Sequence, residues 1–222
     1  MGTRIRFIVR PDARRAPFHI VAFFMAGRKS VRALPRSGAQ PKLGHMASNR
    51  RPILKLGVVD LGVEHASLPN GVEIDLAIVR HPGASAIVAL DHDGAIAILR
   101  QYRHAIGGYL FEIPAGCRNA NESYRDCAAR ELAEEAGVSA ARWDSLGAIV
   151  TIPSFCDERI ELYLARELAP VGQSHDLDEV IHVERVAFDT AAEMIRRGEI
   201  VDAKSVAALY RARDFLTDDP GR

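Results

Sequence analysis

Alternating apolar and polar side chains dominate the chain beyond residue 52 and predict a protein built mostly of strands. Strands at 53–61 and 72–80, joined by a turn at Pro69, Asn70 and Gly71, predict a small antiparallel sheet. Strands at 85–90 and 95–102 read as a hairpin around Asp91, His92, Asp93 and Gly94, and a short strand at 109–113 leads into a glycine turn. The period then becomes helical over 124–136. Ser123 is a good N-cap with Asp126 three residues on, Ala and Leu fill the middle, and Gly137 is a natural stop. Further strands are predicted at 145–151, 159–165 and 180–187. Two helices close the chain, one opening with the capping box of Thr190 and Glu193 and one over 202–215. Mixed strands around a central helix, with late helices, predict an α+β sandwich with a mixed sheet.

Composition divides the chain unevenly. Its 222 residues, 48% of them hydrophobic, suffice for one substantial core with an appendage. Residues 1–51 carry 12 Lys or Arg against the single acid Asp12, and the remainder carries 28 acidic against 17 basic residues, a net of −11. The expected organisation is a basic, disordered extension at 1–51, a β-sheet subdomain at 52–82 and a catalytic domain at 83–217. An acidic body excludes tight binding to a nucleic-acid backbone. The apolar run 18–26 is too short to span a bilayer and is followed by Arg28 and Lys29 without a small-residue cleavage site, so neither a membrane anchor nor a secretory signal is expected. An acid-poor, Arg-rich leader leaves organellar targeting as the alternative to an added extension, with Met46 as an internal start. Cys117, Cys127 and Cys156 have no paired spacing and point to a reducing, cytoplasmic setting.

The chemistry concentrates in residues 116–138, GCRNANESYRDCAARELAEEAGV. At about 100° per residue, Glu131, Glu134 and Glu135 fall on one side of the helix, while Ala129, Leu132, Ala133 and Ala136 cluster opposite. One face is therefore expected to pack and the other to hold cations. Carboxylates so close repel, at a few tenths of a kcal/mol per pair, and a divalent cation relieves that repulsion. Mg²⁺ takes hard oxygen ligands and is commonly shared between carboxylates and substrate phosphates.

Five residues separate Gly116 from Glu122, seven separate Glu122 from Arg130, and the core continues Arg130, Glu131, Leu132, Ala133, Glu134, Glu135, Ala136, Gly137, Val138. This resembles a complete Nudix box. The resemblance implies an α/β/α sandwich and hydrolysis of a pyrophosphate bond with Mg²⁺, or Mn²⁺ in its place. It implies metal residues Ala115 (through its carbonyl), Glu131, Glu134 and Glu135, with Glu122 supporting them. It further implies a catalytic set of Arg130, Glu134, Glu135 and a general base from the loop 174–180, where Asp176, Asp178 and Glu179 are the candidates and Glu179 is the choice.

Outside the box the likeness narrows. Gln101, Tyr102 and Arg103, then Phe111, Glu112, Ile113, Pro114 and Ala115, resemble the approach to the box in ADP-ribose pyrophosphatases. Residues 152–159, with Pro153 fifteen positions beyond Val138, resemble the segment after it, and residues 198–205 resemble the last helix's start. Ser154 departs from the glycine common after that proline. The substrate-binding residues implied are Arg103, Glu112, Pro153, Asp157 and Glu158, acting on ADP-ribose or a related nucleoside diphosphate sugar. Arg103 has the planar fork that suits phosphate, and Asp202 reads as an N-cap. A homodimer formed through the N-terminal sheet is also implied. Rival readings are a hydrolase of GDP-mannose or another nucleotide sugar, and a nucleotide sensor without catalysis, whose expected broken glutamate set is not seen here.

Overall fold

The computed structural model describes residues 50–174 and 180–218. Ten strands and three α-helices follow in chain order: β1 (Arg50–Leu56), β2 (Val59–Ser67), β3 (Glu73–Arg80), β4 (Ala84–Ala89), β5 (Ala95–Arg103), β6 (Gly108–Glu112), β7 (Ala115–Cys117), α1 (Tyr124–Ala136), β8 (Val138–Val150), β9 (Arg159–Pro170), β10 (Ile181–Ala187), α2 (Phe188–Arg196) and α3 (Ala203–Asp218). They build an antiparallel sheet β1-β2-β3, a second sheet β10-β5-β6 and a four-stranded mixed sheet β7-β4-β9-β8, in which β4 and β9 run parallel.

The mixed sheet lies between helices, because its strands are apolar on both faces. All six residues of β4 are buried, as expected of a central strand. Ala86 and Val88 join Leu162 and Leu164 of β9 in a core with Ala208, Leu209 and Ala212 of α3. The alternate residues Ile87 and Ala89 join Ala165, and pack against Ala128 and Leu132 of α1. This is the α/β/α sandwich, preceded by a small antiparallel sheet.

The structure corrects three local expectations. The run 53–61 is not one strand but two, with Gly57 at φ 55° in the turn between β1 and β2. Glycine reaches that left-handed conformation without strain and reverses the chain within two residues. This sheet also begins at Arg50, so Arg50 and Arg51, expected in the extension, are strand residues; residues 1–49 lie outside the described residues. Second, β4 and β5 meet at a tight turn, where the Asp91 N–H donates to the Ala95 carbonyl at 2.8 Å, yet they enter different sheets and share only the bridge Leu90–Ile96. The burial of β4 on every residue calls for strands on both sides, which β7 and β9 supply. Third, α2 begins at Phe188 with Ala187 as an uncapped N-cap, ahead of the expected capping box at Thr190.

Among the described residues, no helix is long and apolar enough to cross a membrane. Leu162→Ala removes a fully buried side chain between β4 and α3, and is expected to lower unfolding free energy by about 2–5 kcal/mol, read from a urea midpoint shift without a change in slope.

Candidate active site

The helix α1 is set by its ends. Ser123 Oγ accepts the Asp126 N–H at 3.0 Å and donates to Asp126 Oδ2 at 2.7 Å, while Gly137, at φ 69°, closes the last turn on the Ala133 carbonyl. Between these caps Glu131 and Glu135 do not lie opposite the packed face as expected. Glu131 and Glu135 are 7% and 2% exposed, on the same buried flank as Cys127, Ala128 and Leu132, whereas Ala129 and Ala133 are only partly covered. The helix is wedged under β7, and polar partners there make the burial of carboxylates tolerable.

Arg130 is the chief of those partners. Its Nε and Nη2 donate to the two oxygens of Glu122 at 2.8 and 3.0 Å; its Nη1 donates to Glu131 at 2.7 Å and to Glu134 at 2.9 Å. Nη2 also reaches the Cys117 carbonyl at 3.0 Å, which ties the helix to the glycine turn. The Arg130 hydrogen bonds hold the Glu122 carboxyl down at about 2. Glu135 accepts the Ala115 N–H at 2.8 Å. A Cβ on Gly116 would lie 2.0 Å from Glu131 Oε1, so only glycine lets the turn close over that carboxylate.

The donor set suits a hard divalent cation: Glu131, Glu134 and Glu135 offer carboxylate oxygens within one helical turn beside the backbone at Ala115 and Gly116. A carboxylate has about four lone-pair sites, so Glu134, which accepts one Arg130 N–H, keeps room for a cation. Among the described residues no three His, Cys, Asp or Glu side chains are already gathered as a cage; Arg130 spaces the glutamates instead.

Arg103 and Glu112 face each other across β5 and β6 as a fork, with Nε to Oε1 at 2.9 Å and Nη2 to Oε2 at 2.8 Å. Glu112 is 2% exposed and also receives the Lys204 ammonium. Burial pushes its carboxyl up, but Arg103 and Lys204 outweigh burial and leave it below the ordinary value. Lys204, which the sequence reading did not single out, pairs with Asp202 at 2.9 Å as well. Asp202 caps α3 through the Ser205 N–H at 3.0 Å, in line with its expected role, and Ser205 Oγ accepts the Ile113 N–H at 2.9 Å. No spacing in the sequence reveals the Glu112–Lys204 pair, because 92 residues separate its members.

The loop 151–158 brings Pro153, Asp157 and Glu158 to the end of β3. Asp157 accepts Arg80 Nη1 at 2.9 Å and the His81 N–H at 2.8 Å, one on each oxygen, so both are engaged in holding the loop. Glu158 accepts the Thr151 hydroxyl at 2.5 Å. Pro153 opens a turn in which the Cys156 N–H reaches the Ile152 carbonyl at 2.9 Å. Ser154 is not among the residues at positive φ, so the loop has no need of glycine there. Glu179, Asp176 and Asp178 lie outside the described residues.

A mixed-sheet α/β/α sandwich with a glutamate-bearing helix closed by a glycine turn sets a row of hard oxygen donors beside the backbone at Ala115 and Gly116. The NUDIX domain family matches residues 79–209, and the chain belongs to the Nudix hydrolase family, whose members generally depend on a divalent metal. The chain is 36% identical over 154 residues to an ADP-ribose pyrophosphatase of Bacillus subtilis (strain 168), covering 68% of this chain and 83% of that one. It is 38% identical over 157 residues to an ADP-ribose pyrophosphatase of Mycobacterium tuberculosis (strain ATCC 25618 / H37Rv), covering 69% and 76%. The crystal structure of an ADP compounds hydrolase has the same fold, with TM-score 0.68 at 22% identity over 78% of this chain and 94% of that one.

The depressed Glu122 carboxyl sets the sign of a pH effect. Its contribution to stability is complete above the unfolded value of about 4.3 and is lost as pH falls through about 2. Glu122→Gln is therefore expected to unfold more easily than the native chain at pH 6, with the gap closing as pH approaches 2, as followed by denaturant melts across that range.

Proposed function

We propose that this chain hydrolyses the pyrophosphate bond of ADP-ribose or a related nucleoside diphosphate sugar, with Mg²⁺, or Mn²⁺ in its place, as cation. Water adds to one phosphorus and the bridging oxygen leaves, so ADP-ribose yields AMP and ribose 5-phosphate. The observation that carries the reading is the intact glutamate set under the Gly116 turn, in a chain more than one-third identical to ADP-ribose pyrophosphatases.

Glu131, Glu134, Glu135 and the Ala115 carbonyl would hold the cation. Bound there, it would neutralise diphosphate oxygens and lower the pKa of the attacking water. Arg130 and Glu122 keep the carboxylates in register, and Arg130 thereby sets where the water and phosphate meet. Arg103, its side chain 40% exposed, keeps Nη1 outside its fork with Glu112 and can present it to a phosphate oxygen. Glu112 holds that guanidinium in orientation. Pro153 and Glu158 line the substrate side of their loop, and Asp157 braces it. Glu179, from the acidic segment after β9, takes the proton of the attacking water.

Initial rates on ADP-ribose, GDP-mannose, NADH and diadenosine polyphosphates, with Mg²⁺ and with chelator, test this. Metal-dependent cleavage of ADP-ribose is expected, and Glu135→Gln is expected to lower it by at least about 100-fold, the upper range for partners that merely support a metal site. Cleavage of none of these, despite binding, would replace the hydrolase with a sensor.

The N-terminal sheet supports a homodimer in the same proposal. Ile53, Leu54, Leu56, Val59 and Ile74 remain 39–73% exposed on β1, β2 and β3, apolar side chains that a second copy of the sheet would cover. Leu56→Glu is expected to shift sedimentation from dimer to monomer; an unchanged mass would remove this sheet from the interface. Free thiols at Cys117, Cys127 and Cys156 suit the cytoplasm, where we place the enzyme.

A further inference from the structure

Glu112, buried at the end of β6, meets two cations: the fork of Arg103 from β5 and the ammonium of Lys204 from α3. The two differ in freedom. The Lys204 side chain is 12% exposed, and its Nζ is held between Glu112 and Asp202 Oδ2, the latter at 2.9 Å. Asp202 is fixed in turn at the start of α3 by the Ser205 N–H and hydroxyl, and Ser205 Oγ accepts the N–H of Ile113, the residue after Glu112. Lys204 and Glu112 are therefore tied together through their neighbours as well as directly.

Arg103 is held less closely. It is the last residue of β5, ahead of the turn closed by Gly107; its side chain is 40% exposed, and Nη1 lies outside the fork. The Glu112 hydrogen bonds first, and then the charges of Glu112, Glu135 and Asp202, raise its guanidinium above the ordinary value against the effect of burial, so Arg103 stands in the field of an α1 carboxylate as well as in that of its fork partner. A buried carboxylate that loses its sole cation is left uncompensated, at high cost. With Lys204 on Glu112, a shift of Arg103 toward another anion avoids that loss. Asp202, which shares the ammonium, has the Ser205 donors at a helix N-terminus to support its own charge.

We propose that Lys204 is a positioning residue for anion binding: by neutralising Glu112 from within the fold, it leaves the Arg103 guanidinium available to the diphosphate of the substrate instead of committed to that carboxylate. Without Lys204, Glu112 would hold Arg103 as its one cation, and a phosphate would have to compete with a buried carboxylate for the same planar donors. The inference rests on the pyrophosphate reading above and adds a residue on which affinity for the diphosphate depends.

Four variants decide it: Lys204→Met, Lys204→Arg, Glu112→Gln and the double variant Lys204→Met with Glu112→Gln. Lys204→Met is expected to raise KM for ADP-ribose about ten-fold with kcat close to native, the weight of roughly one charge-assisted hydrogen bond. Lys204→Arg, which keeps the charge, is expected to recover most of that loss. In the Glu112→Gln background no carboxylate competes for Arg103, and Lys204→Met is expected to add nothing. An unchanged KM in Lys204→Met, a loss confined to kcat, or the same KM penalty in both backgrounds overturns the proposal. A native chain that cleaves no nucleotide sugar defeats the broader reading instead. In that case, or if Lys204→Met does not fold, the side-chain ¹⁵N resonances of the native chain decide, followed as methylenediphosphonate is added with Mg²⁺. An Arg103 Nε signal that moves while the Lys204 Nζ signal stays supports the proposal; an Arg103 signal that stays, or a Lys204 signal that moves with it, overturns it.

Discussion

Four glutamates on and beside one helix would repel each other, and the fold tolerates them through Arg130. One guanidinium engages Glu122, Glu131 and Glu134 and also holds the Cys117 carbonyl. Removing it would leave the nearly buried Glu131 without that charge partner, and burying a charge is costly when its partner is lost. The same contact fixes the height of the glycine turn over α1. At Gly116 there is no room even for a methyl group, so the turn and the carboxylate row must be built together.

The mixed sheet makes this local constraint possible. With β4 buried along its whole length, one face supports α1 and the other supports α2 and α3. The short strand β7 pairs with the start of β4, at Ala84, Ser85 and Ala86. Ser85, on the α1 side, donates to the Tyr124 carbonyl at 2.7 Å. Helix start, glycine turn and central strand are thus joined within a few residues. Where β3 ends, Arg80 links Glu64 of β2 to Asp157, so the loop with Glu158 is referenced to the N-terminal sheet rather than to the core.

Features encoded over short distances were legible in the sequence. The Ser123 cap, the Gly137 stop and the helix between them appear where expected, and so does the capping role of Asp202. What failed involved choices of distant partner. Alternation in 53–61 is equally compatible with one strand or two, and Gly57 alone marks the reversal. The turn at Asp91 looks like any hairpin turn, and the separation of β4 from β5 is decided by β7 and β9. Helical angles placed the glutamates opposite the apolar stripe, but they cannot show that β7 descends onto that flank. Asp157 and Glu158 are adjacent acids in sequence; only their partners, Arg80 and the His81 N–H in one case and Thr151 in the other, tell them apart.

This pairing pattern also explains where cations are needed. Glu112 has both Arg103 and Lys204, and Glu64 has both Arg50 and Arg80. The box shares its cation: Glu122, Glu131 and Glu134 all meet Arg130, while Glu135 accepts a backbone N–H and lies in the field of Arg103. Two unit charges 4 Å apart interact by about 4 kcal/mol at an effective dielectric constant of 20, so carboxylates this close on one helix depend on the cation that they share. Glu122, Glu131 and Glu134 converge on one guanidinium, so the order of the carboxylate row stands or falls with Arg130.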